Sequence, residues 1–472
     1  MLFGTFDFLM FLAAVIALNW LLKPYPLIWR LFLLIASVYF YALIDIKYVT
    51  LLAGASLITF ILGLLISNKR SKASKPAFII GIIVNLGLLF IYKYYDFFRI
   101  SVESCFASFN LKLTFPYWEI IAPIGISFFS FRMLSYLIDL NRQKYKAETS
   151  LLDFLIYCFF FPYLLAGPIT RANEFLPQLK NGGAKTINKL EPSVTLFFVG
   201  LFKKLVLSTW LSSALLINDV FAVPEQFSSL AILAAILGYA FVIYCDFSGY
   251  SDMAIACANF LGFELSPNFL FPYRANSIGE FWRRWHISFY KWMLDYLYIP
   301  LGGNRVSKFR SYLNVLIVFI ASGLWHGAAL HYLIWGLWHG LGLTIERAWS
   351  NLKNVNTFLK KSLTGFLGWL ITFIFVVFGW IFFKAENMER AFAVIKGLGQ
   401  WHKSANTLSV SIIIIAVLIA LFIFFEQKII EFINKIQTLM PISVWLLFWI
   451  SLGIIIYKLA PNTIPPFIYF SF

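Results

Sequence analysis

The sequence has few charged residues for its length. Asp, Glu, Lys and Arg make up 13% of the 472 residues, which is about half the share found in average soluble domains. Apolar residues reach 61% and aromatic residues 19%. So few charges cannot cover so much apolar surface in water, which excludes a soluble globular fold. The high hydrophobicity also excludes intrinsic disorder. The composition is that of a polytopic membrane protein.

Cysteines and common catalytic motifs are also scarce. The four cysteines are too scattered for a disulfide framework or a zinc site, and we expect Cys158 and Cys245, which lie in apolar runs, to be packing residues. A nucleophile elbow, a Walker loop and a dinucleotide fingerprint are all absent. The net charge of +16 would suggest nucleic acid in a soluble protein. In a membrane protein, however, basic residues gather in cytoplasmic loops and contact anionic lipids. We therefore expect membrane lipids as partners and no nucleic acid.

Long apolar runs recur along the whole chain, and a spanning helix needs about 20 such residues. The first run has no basic n-region and no cleavage site, so we interpret it as a retained span. No internal repeat or long linker divides the chain. We predict an all-α polytopic membrane protein with roughly 10–12 transmembrane helices, plus re-entrant or interfacial helices around a central cavity. It would form one integral-membrane domain over 1–472, with a catalytic core at about 119–349. The candidate spans are 5–22, 27–44, 49–67, 77–95, 119–139, 193–217, 227–246, 312–329, 331–347, 363–383, 409–425 and 441–459.

Basic loops predict the orientation. Placing the basic stretches at 23–30, 69–75 and 142–146 inside is consistent with alternating spans and puts the N-terminus outside. Segment 151–167 breaks this pattern, because a full crossing would put the basic stretch 171–189 outside. Pro162, Gly167 and Pro168 would also interrupt a helix there. We therefore predict a broken or re-entrant helix that lines protein or a cavity. Beyond residue 383 the loops are mixed in charge and give no orientation.

Four of the five histidines lie between residues 286 and 339. His326 follows a run without charge, and a straight helix over 311–326 would rise about 22 Å, which places the imidazole well inside a hydrocarbon core of about 30 Å. Gly323 and Gly327 permit close approach of a substrate or a neighbouring helix. A neutral histidine at this depth suits a general base for a hydroxyl. The residues alone equally allow a core histidine that bonds a neighbouring helix.

His286 lies in a segment with the pattern of an amphipathic or interfacial helix. Glu280 is placed to pair with Arg283 or Arg284, and such pairs with nearby tryptophans fit an interfacial anchor. The other interpretation is a basic cytoplasmic vestibule that attracts an anionic donor such as a nucleotide-bearing thioester. The tryptophans are Trp282, Trp285 and Trp292, and the vestibule residues would be Arg283, Arg284, Lys291 and Arg305.

Two further features leave alternatives open. Asp246 and Asp252 are six residues apart, and Ser248 and Gly249 between them suggest a break in the helix. The two carboxylates are suited to pairing with the arginines, to lining a proton or substrate path, or to capping helix ends.

The histidine spacing does not indicate a metal site. On one helix, His326 and His331 would be about 140° apart, which does not match helical zinc motifs. We therefore predict no metal site.

Five blocks in this order resemble the membrane-bound O-acyltransferase family, in the bacterial branch that holds the membrane subunit of alginate O-acetyltransferase. The resemblance covers most of the chain up to about residue 384. The blocks are PIGISFFSFRMLSYLIDLNR at 123–142, FFPYLLAGPITR at 160–171, YCDFSGYSDMAIA at 244–256, EFWRRWHISFYKWMLDYLYIPLGGNR at 280–305 and SGLWHG at 322–327.

The resemblance implies a catalytic histidine at His326 and a second polar residue about forty positions upstream, which falls on His286. We expect Trp325, Arg283, Arg284, Asp252 and Arg305 to bind substrate. The implied reaction moves an acetyl group from cytoplasmic acetyl-CoA, with no further cofactor, across a bacterial inner membrane toward an extracytoplasmic polysaccharide. A partner acetyltransferase would complete the transfer. The alternatives are D-alanyl transfer to teichoic acid and, from another class, a secondary transporter with a buried proton relay.

Overall fold

The computed structural model describes residues 3–118, 121–186, 190–350, 365–400, 410–437, 439–461 and 467, and their regular elements are helices. Each of the twelve predicted segments overlaps at least one of these helices. Residues 119–120, 363–364 and 409 of the predicted segments lie outside the described residues. Within the described residues, five helical runs are long and apolar enough to cross a membrane, and three shorter helices are also apolar. The predicted all-α polytopic fold is confirmed. The five runs are Ile46–Ser67, Ser74–Ser108, Leu190–Ala214, Ser229–Phe260 and Phe366–Lys384.

The chain forms two compact units. The first contains Met1–Asn188 with Cys257–Ser266, and the second contains Lys189–Ala256 with Pro267–Phe472. All predicted site residues fall in the second unit. The single domain over 1–472 stays a prediction. The helices of the first unit are α1 Phe6–Leu22, α2 Pro26–Ala42, α3 Ile46–Ser67, α4 Ser74–Leu89, α5 Tyr95–Ser108, α6 Ile126–Asn141, α7 Leu151–Phe159, α8 Phe161–Leu164 and α9 Ala172–Lys180.

The predicted broken helix in 151–167 is present in the first unit. The chain leaves α7 at Phe160, restarts as α8 with Pro162 in its first turn, and turns again at Gly167 with a φ of 110°. Buried Arg132 on α6 donates from its two terminal nitrogens to the carbonyls of Tyr163 and Cys158, at 3.0 and 3.3 Å. Because a broken helix leaves carbonyls without helical donors, this arginine supplies hydrogen bonds where the backbone cannot.

The second unit contains the remaining helices and two π-helical segments, Lys203–Leu207 and Leu294–Tyr298. Its buried core is rich in aromatic side chains. The helices are α10 Leu190–Phe202, α11 Ser208–Ala214, α12 Ile217–Ala222, α13 Ser229–Phe260, whose last four residues belong to the first unit, α14 Ile278–Arg284, α15 Ile287–Met293, α16 Lys308–His326, α17 Leu330–Ser350, α18 Phe366–Lys384, α19 Met388–Leu398, α20 Val410–Gln437 and α21 Ile442–Leu459.

The predicted break between Asp246 and Asp252 is wrong, because α13 runs without interruption through both residues. Gly249 has a packing role instead. A Cβ atom at Gly249 would lie 2.6 Å from the Gly200 carbonyl oxygen, and the converse distance is the same. The two small residues therefore let α10 and α13 approach backbone to backbone.

Glycines also join α16 to α17. A Cβ atom at Gly323 would overlap the Tyr332 carbonyl, and one at Gly336 would overlap the Phe319 carbonyl. The close approach predicted for Gly323 is therefore made by a neighbouring helix. This contact fixes the last turn of α16, which ends at His326.

Candidate active site

His326 is the last residue of α16, as the straight helix over 311–326 predicted, and only 2% of its surface is exposed. Gly327 leaves the helix in an extended conformation. Aromatic rings surround the imidazole: the ring centroids of Trp335, Trp325, Phe383 and Phe289 lie 4.9, 5.0, 5.2 and 5.5 Å from it. The surroundings are thus apolar, which strengthens local electrostatic interactions.

His286 lies between two short helices in an unusual backbone conformation. It separates α14 from α15 with φ of 42° and ψ of 55°, the left-handed region that non-glycine residues rarely adopt. Such strain persists only where the surroundings over-determine it, and it is frequent at functional sites. The imidazole is 1% exposed, and burial lowers the pKa of this histidine, which is outside the five spanning runs, to about 3. It is therefore neutral at physiological pH.

One asparagine, which the sequence analysis did not single out, organises the polar contacts of His286. Asn268 is buried, and its Oδ1 lies 3.2 Å from His286 Nδ1. The same oxygen accepts from Ser288 twice, from the backbone N–H at 3.2 Å and from the hydroxyl at 2.8 Å. Its Nδ2 donates to Ser251 Oγ on α13 at 3.1 Å. The Asn268 carbonyl also accepts from the N–H of Ile287, the residue after the strained position.

The two histidines contact the same aromatic pair. The ring of Phe289 lies 5.1 Å from His286 and 5.5 Å from His326, and that of Trp325 lies 6.1 and 5.0 Å away. Two residues forty positions apart are thus brought into one cluster. Trp325 therefore contacts both histidines. Its role in substrate binding stays a prediction.

Two cavities share part of their lining, and one of them reaches Phe289 of this cluster. The first, 940 Å³ in volume and here called the vestibule, is lined by polar and basic residues that include Arg305, Lys308 and Arg347, and by the loop at Gly302 and Gly303. The second, the narrow cavity, has a volume of 50 Å³ and an apolar lining. Leu294, Tyr298 and Arg347 line both. The narrow cavity reaches Phe289 and Ser322, and Phe289 packs directly on His326.

Only one of the four predicted basic vestibule residues, Arg305, lines the vestibule. Arg284 instead pairs with Glu280 at 2.6 Å, four positions earlier on α14, and Arg283 and Lys291 are exposed outside the vestibule lining. Lys308 and Arg347 also line the vestibule, and sequence reasoning missed both. The interfacial anchor is also wrong for its tryptophans, since Trp282, Trp285 and Trp292 are buried among protein side chains.

Asp246 and Asp252 pair with two consecutive lysines rather than with arginines. Lys203 bonds Asp252 and also Glu426 on α20, the latter at 2.8 Å, while Lys204 bonds Asp246. The hydroxyl of Tyr244 donates to the second Glu426 oxygen at 2.6 Å. The lysines lie in the π-helical segment after α10, and the carboxylates lie on α13 and α20. These buried pairs tie three helices together, so Asp252 has a structural contact where substrate binding was expected.

The other histidines in this region have packing contacts. His331 Nδ1 donates to the Phe382 carbonyl at 2.8 Å, and His339 is enclosed by the rings of Trp282 and Trp335 at 5.0 and 5.1 Å. No group of three His, Cys, Asp or Glu side chains suited to a metal ion occurs among the described residues. Cys158 and Cys245 are buried, as expected of packing residues.

Comparison with known proteins adds an independent result. Residues 89–392 match the model of MBOAT, the membrane-bound O-acyltransferase family. A probable alginate O-acetylase AlgI of Pseudomonas aeruginosa is 39% identical over 380 residues, covering 79% of this chain and 71% of that protein. A peptidoglycan O-acetyltransferase of Helicobacter pylori is 36% identical over 402 residues, covering 79% and 74%. A teichoic acid D-alanyltransferase of Streptococcus thermophilus is 31% identical over 282 residues, covering 55% and 68%.

Proposed function

Because this chain belongs to the membrane-bound O-acyltransferase family and is a multi-pass O-acyltransferase, we propose that it moves an acetyl group from acetyl-CoA toward the hydroxyls of an extracytoplasmic polysaccharide, with His326 as its catalytic base. The donor enters from the cytoplasmic face of a bacterial inner membrane. An extracytoplasmic partner transferase or the polysaccharide itself receives the group. No cofactor other than the donor is needed.

The observation that carries this proposal is that the vestibule and the narrow cavity share lining residues. Arg305, Lys308 and Arg347 line a wide polar space suited to a phosphate-rich nucleotide. The narrow apolar cavity shares Arg347 with it and ends on the aromatic cluster around His326. A long thioester has this same order of parts, with charged phosphates at one end, a slender arm, and the reactive carbonyl at the other.

The α16 helix supports the same arrangement. Lys308 and Ser311 near its start line the vestibule, and His326 is its final residue. From Ser311 to His326 the helix rises about 22 Å. The donor phosphates would therefore stay at the vestibule while the thioester reaches the histidine. Burial of His326 keeps water away from the thioester, which limits its hydrolysis.

The chemistry requires only groups that this arrangement supplies. The acceptor hydroxyl oxygen attacks the thioester carbonyl carbon, and the imidazole of His326 takes the hydroxyl proton as general base. The C–S bond then breaks, and the leaving thiolate takes the proton back from the imidazolium. The products are an O-acetyl ester, free thiol and neutral histidine. His286, on the other side of Phe289, would position the acceptor by accepting a hydrogen bond from a neighbouring hydroxyl of the same acceptor molecule.

D-alanyl transfer is the second candidate, and its support is weaker. Two teichoic acid D-alanyltransferases are 31% and 24% identical to the chain over 55% and 57% of its length, against 35–39% over 79–84% for the alginate and peptidoglycan relatives. The transporter alternative has no support, since the chain is an O-acyltransferase.

A sided transfer assay distinguishes these donors. The full chain is reconstituted in vesicles that enclose alginate oligomers or muropeptides, with or without a periplasmic extract, and labelled acetyl-CoA or D-alanyl carrier protein is added outside. We expect base-labile label inside only with acetyl-CoA. Transfer from the carrier protein alone would favour the second candidate. The absence of thiol release from both donors, in folded protein with extract present, would contradict the proposal.

A further inference from the structure

We propose that Asn268 is a positioning residue that holds His286 in the tautomer with its proton on Nδ1, so that Nε2 carries the lone pair offered to the acyl-transfer centre. The part that gives His286 a place in the reaction rests on the proposed function. The tautomer itself follows from the hydrogen bonds around Asn268.

The backbone fixes the orientation of the Asn268 amide. The Ser288 N–H is a donor only, and it lies 3.2 Å from the atom assigned as Oδ1. If the amide were flipped, a donor nitrogen would face that N–H and would also face the Ser288 hydroxyl. The oxygen must therefore occupy this position, and the amide nitrogen must face Ser251 Oγ.

An oxygen at this position decides the histidine tautomer. Asn268 Oδ1 has no proton, so His286 Nδ1 at 3.2 Å must be the donor. A neutral imidazole has one N–H, which leaves Nε2 as the acceptor nitrogen. The asparagine also bonds the backbone N–H of Ile287 through its carbonyl. One residue thus fixes both the ring and the chain direction at the strained left-handed position.

Aromatic rings pack against the imidazole of His286. The rings packed on it belong to Phe247 on α13, Phe269 beside Asn268, Phe289 on α15 and Trp325 on α16. Among the ionisable residues of α13 near Phe247 are Asp246 and Asp252, each bonded to a lysine, and Tyr250, while His326 lies across Phe289 on α16. A neutral amide as orienting partner does not stabilise the imidazolium as a carboxylate would, so it keeps His286 neutral with Nε2 as the acceptor nitrogen.

Substitution at Asn268 separates positioning from packing. Asn268→Leu keeps the volume and removes the acceptor, while Asn268→Asp keeps an acceptor and adds a negative charge. Ser288→Ala is the matched control, because the Ser288 backbone N–H still fixes the amide. Each full-length variant is reconstituted in vesicles, checked by size exclusion, and assayed for thiol release from acetyl-CoA across pH 5 to 9.

For Asn268→Leu we expect kcat to fall about 10- to 100-fold, the size of the loss when the hydrogen-bond partner of a metal-binding histidine is removed, with the KM for acetyl-CoA unchanged. Asn268→Asp should recover most of kcat at high pH. A carboxylate stabilises the imidazolium and raises the pKa of His286. The low-pH limb of the Asn268→Asp rate profile should therefore lie at higher pH than that of wild type. Ser288→Ala should stay within a few-fold of wild type. An unchanged pH profile in Asn268→Asp, or equal kcat losses in all three folded variants, would overturn the inference.

Nitrogen NMR of histidine-labelled protein reads the tautomer without turnover. Wild type should show Nδ1–H signals for His286 and for His331, which also donates from Nδ1. The His286 signal should be lost in His286→Ala and become mixed in Asn268→Leu. If this holds while acetyl transfer is absent, the proposed function fails and the positioning role stands. An Nε2–H signal for His286 in wild type would overturn the positioning role whatever the activity.

Discussion

Replacing Arg347 should change how the enzyme distinguishes donors with and without phosphates. Arg347 lines both the vestibule and the narrow cavity, and its Nη1 donates to the hydroxyl of Tyr298 at 2.7 Å. It is therefore placed where the charged part of a thioester donor would end and its slender arm would begin. Arg347→Gln removes the charge at this junction.

The size of the effect follows from the exposure of the arginine. A hydrogen bond to a charged group contributes about 1.5–3 kcal/mol, and about 1.4 kcal/mol corresponds to a factor of ten in affinity. Arg347 is partly exposed, so solvent screening moves the expectation to the lower end. We expect the KM for acetyl-CoA to rise about tenfold. S-acetylpantetheine lacks phosphates, and its KM should stay unchanged.

The assay compares kcat and KM for the two donors in Arg347→Gln and in a matched variant, Arg310→Gln. Arg310 is an exposed residue in the first turn of α16 that does not line the vestibule. The Arg310→Gln variant removes the same charge from a nearby surface, and it should leave the KM for both donors unchanged. An equal loss for acetyl-CoA and S-acetylpantetheine in Arg347→Gln would refute a phosphate contact. An equal rise in the KM for acetyl-CoA in the two variants would show that the effect comes from general surface charge.

Three stability predictions follow from buried contacts, each measured by thermal unfolding in detergent. Lys203→Met leaves the buried Glu426 and the partly buried Asp252 without their cation and should destabilise the protein by about 3 kcal/mol; an unchanged midpoint would contradict a paired network. Gly336→Ala forces a methyl group into the Phe319 carbonyl and should cost about 1–3 kcal/mol, whereas Gly54→Ala, which meets open space, should not lower the midpoint; equal shifts would refute the close helix contact. Arg132→Met leaves two buried carbonyls without a donor, at about 1–3 kcal/mol each; wild-type stability would show that the guanidinium is not needed there.

Local signals in the sequence predicted the helices that present the site. Pro162 and Gly167 marked the broken helix because proline lacks the backbone N–H that a helix needs and glycine readily adopts a positive φ. The run before His326 predicted the straight helix that ends on it. In these cases the structural cause lies within a few residues of its effect.

Long-range partners escaped the same reasoning. Lys203 and Lys204 interrupt an apolar span, and buried cations need partners, but nothing local identifies Asp246, Asp252 or Glu426 as those partners. Gly249 suggested a break because a glycine lowers helix propensity. Its contact with the Gly200 backbone, visible only after folding, accounts for it instead.

Asn268 and Arg347 gave no sequence signal at all. Asn268 acts through a bond to a histidine 18 residues away, and Arg347 reaches Tyr298, 49 residues before it. Polar residues with such partners resemble ordinary turn or helix-end residues in the sequence. By contrast, the cluster of basic and aromatic residues around Arg283 and Arg284 predicted a place in the vestibule, and neither residue lines it.

The most direct test of the account is acetyl transfer by His326→Ala beside His331→Ala. Both histidines are buried in the second unit and are five positions apart, but His331 bonds a backbone carbonyl and packs outside the Phe289 cluster. Each variant is reconstituted with labelled acetyl-CoA after size exclusion has confirmed its fold. We predict that His326→Ala loses transfer by about 10²- to 10⁴-fold, as expected for a general base, while His331→Ala retains most of it. Wild-type transfer by folded His326→Ala would contradict the central claim.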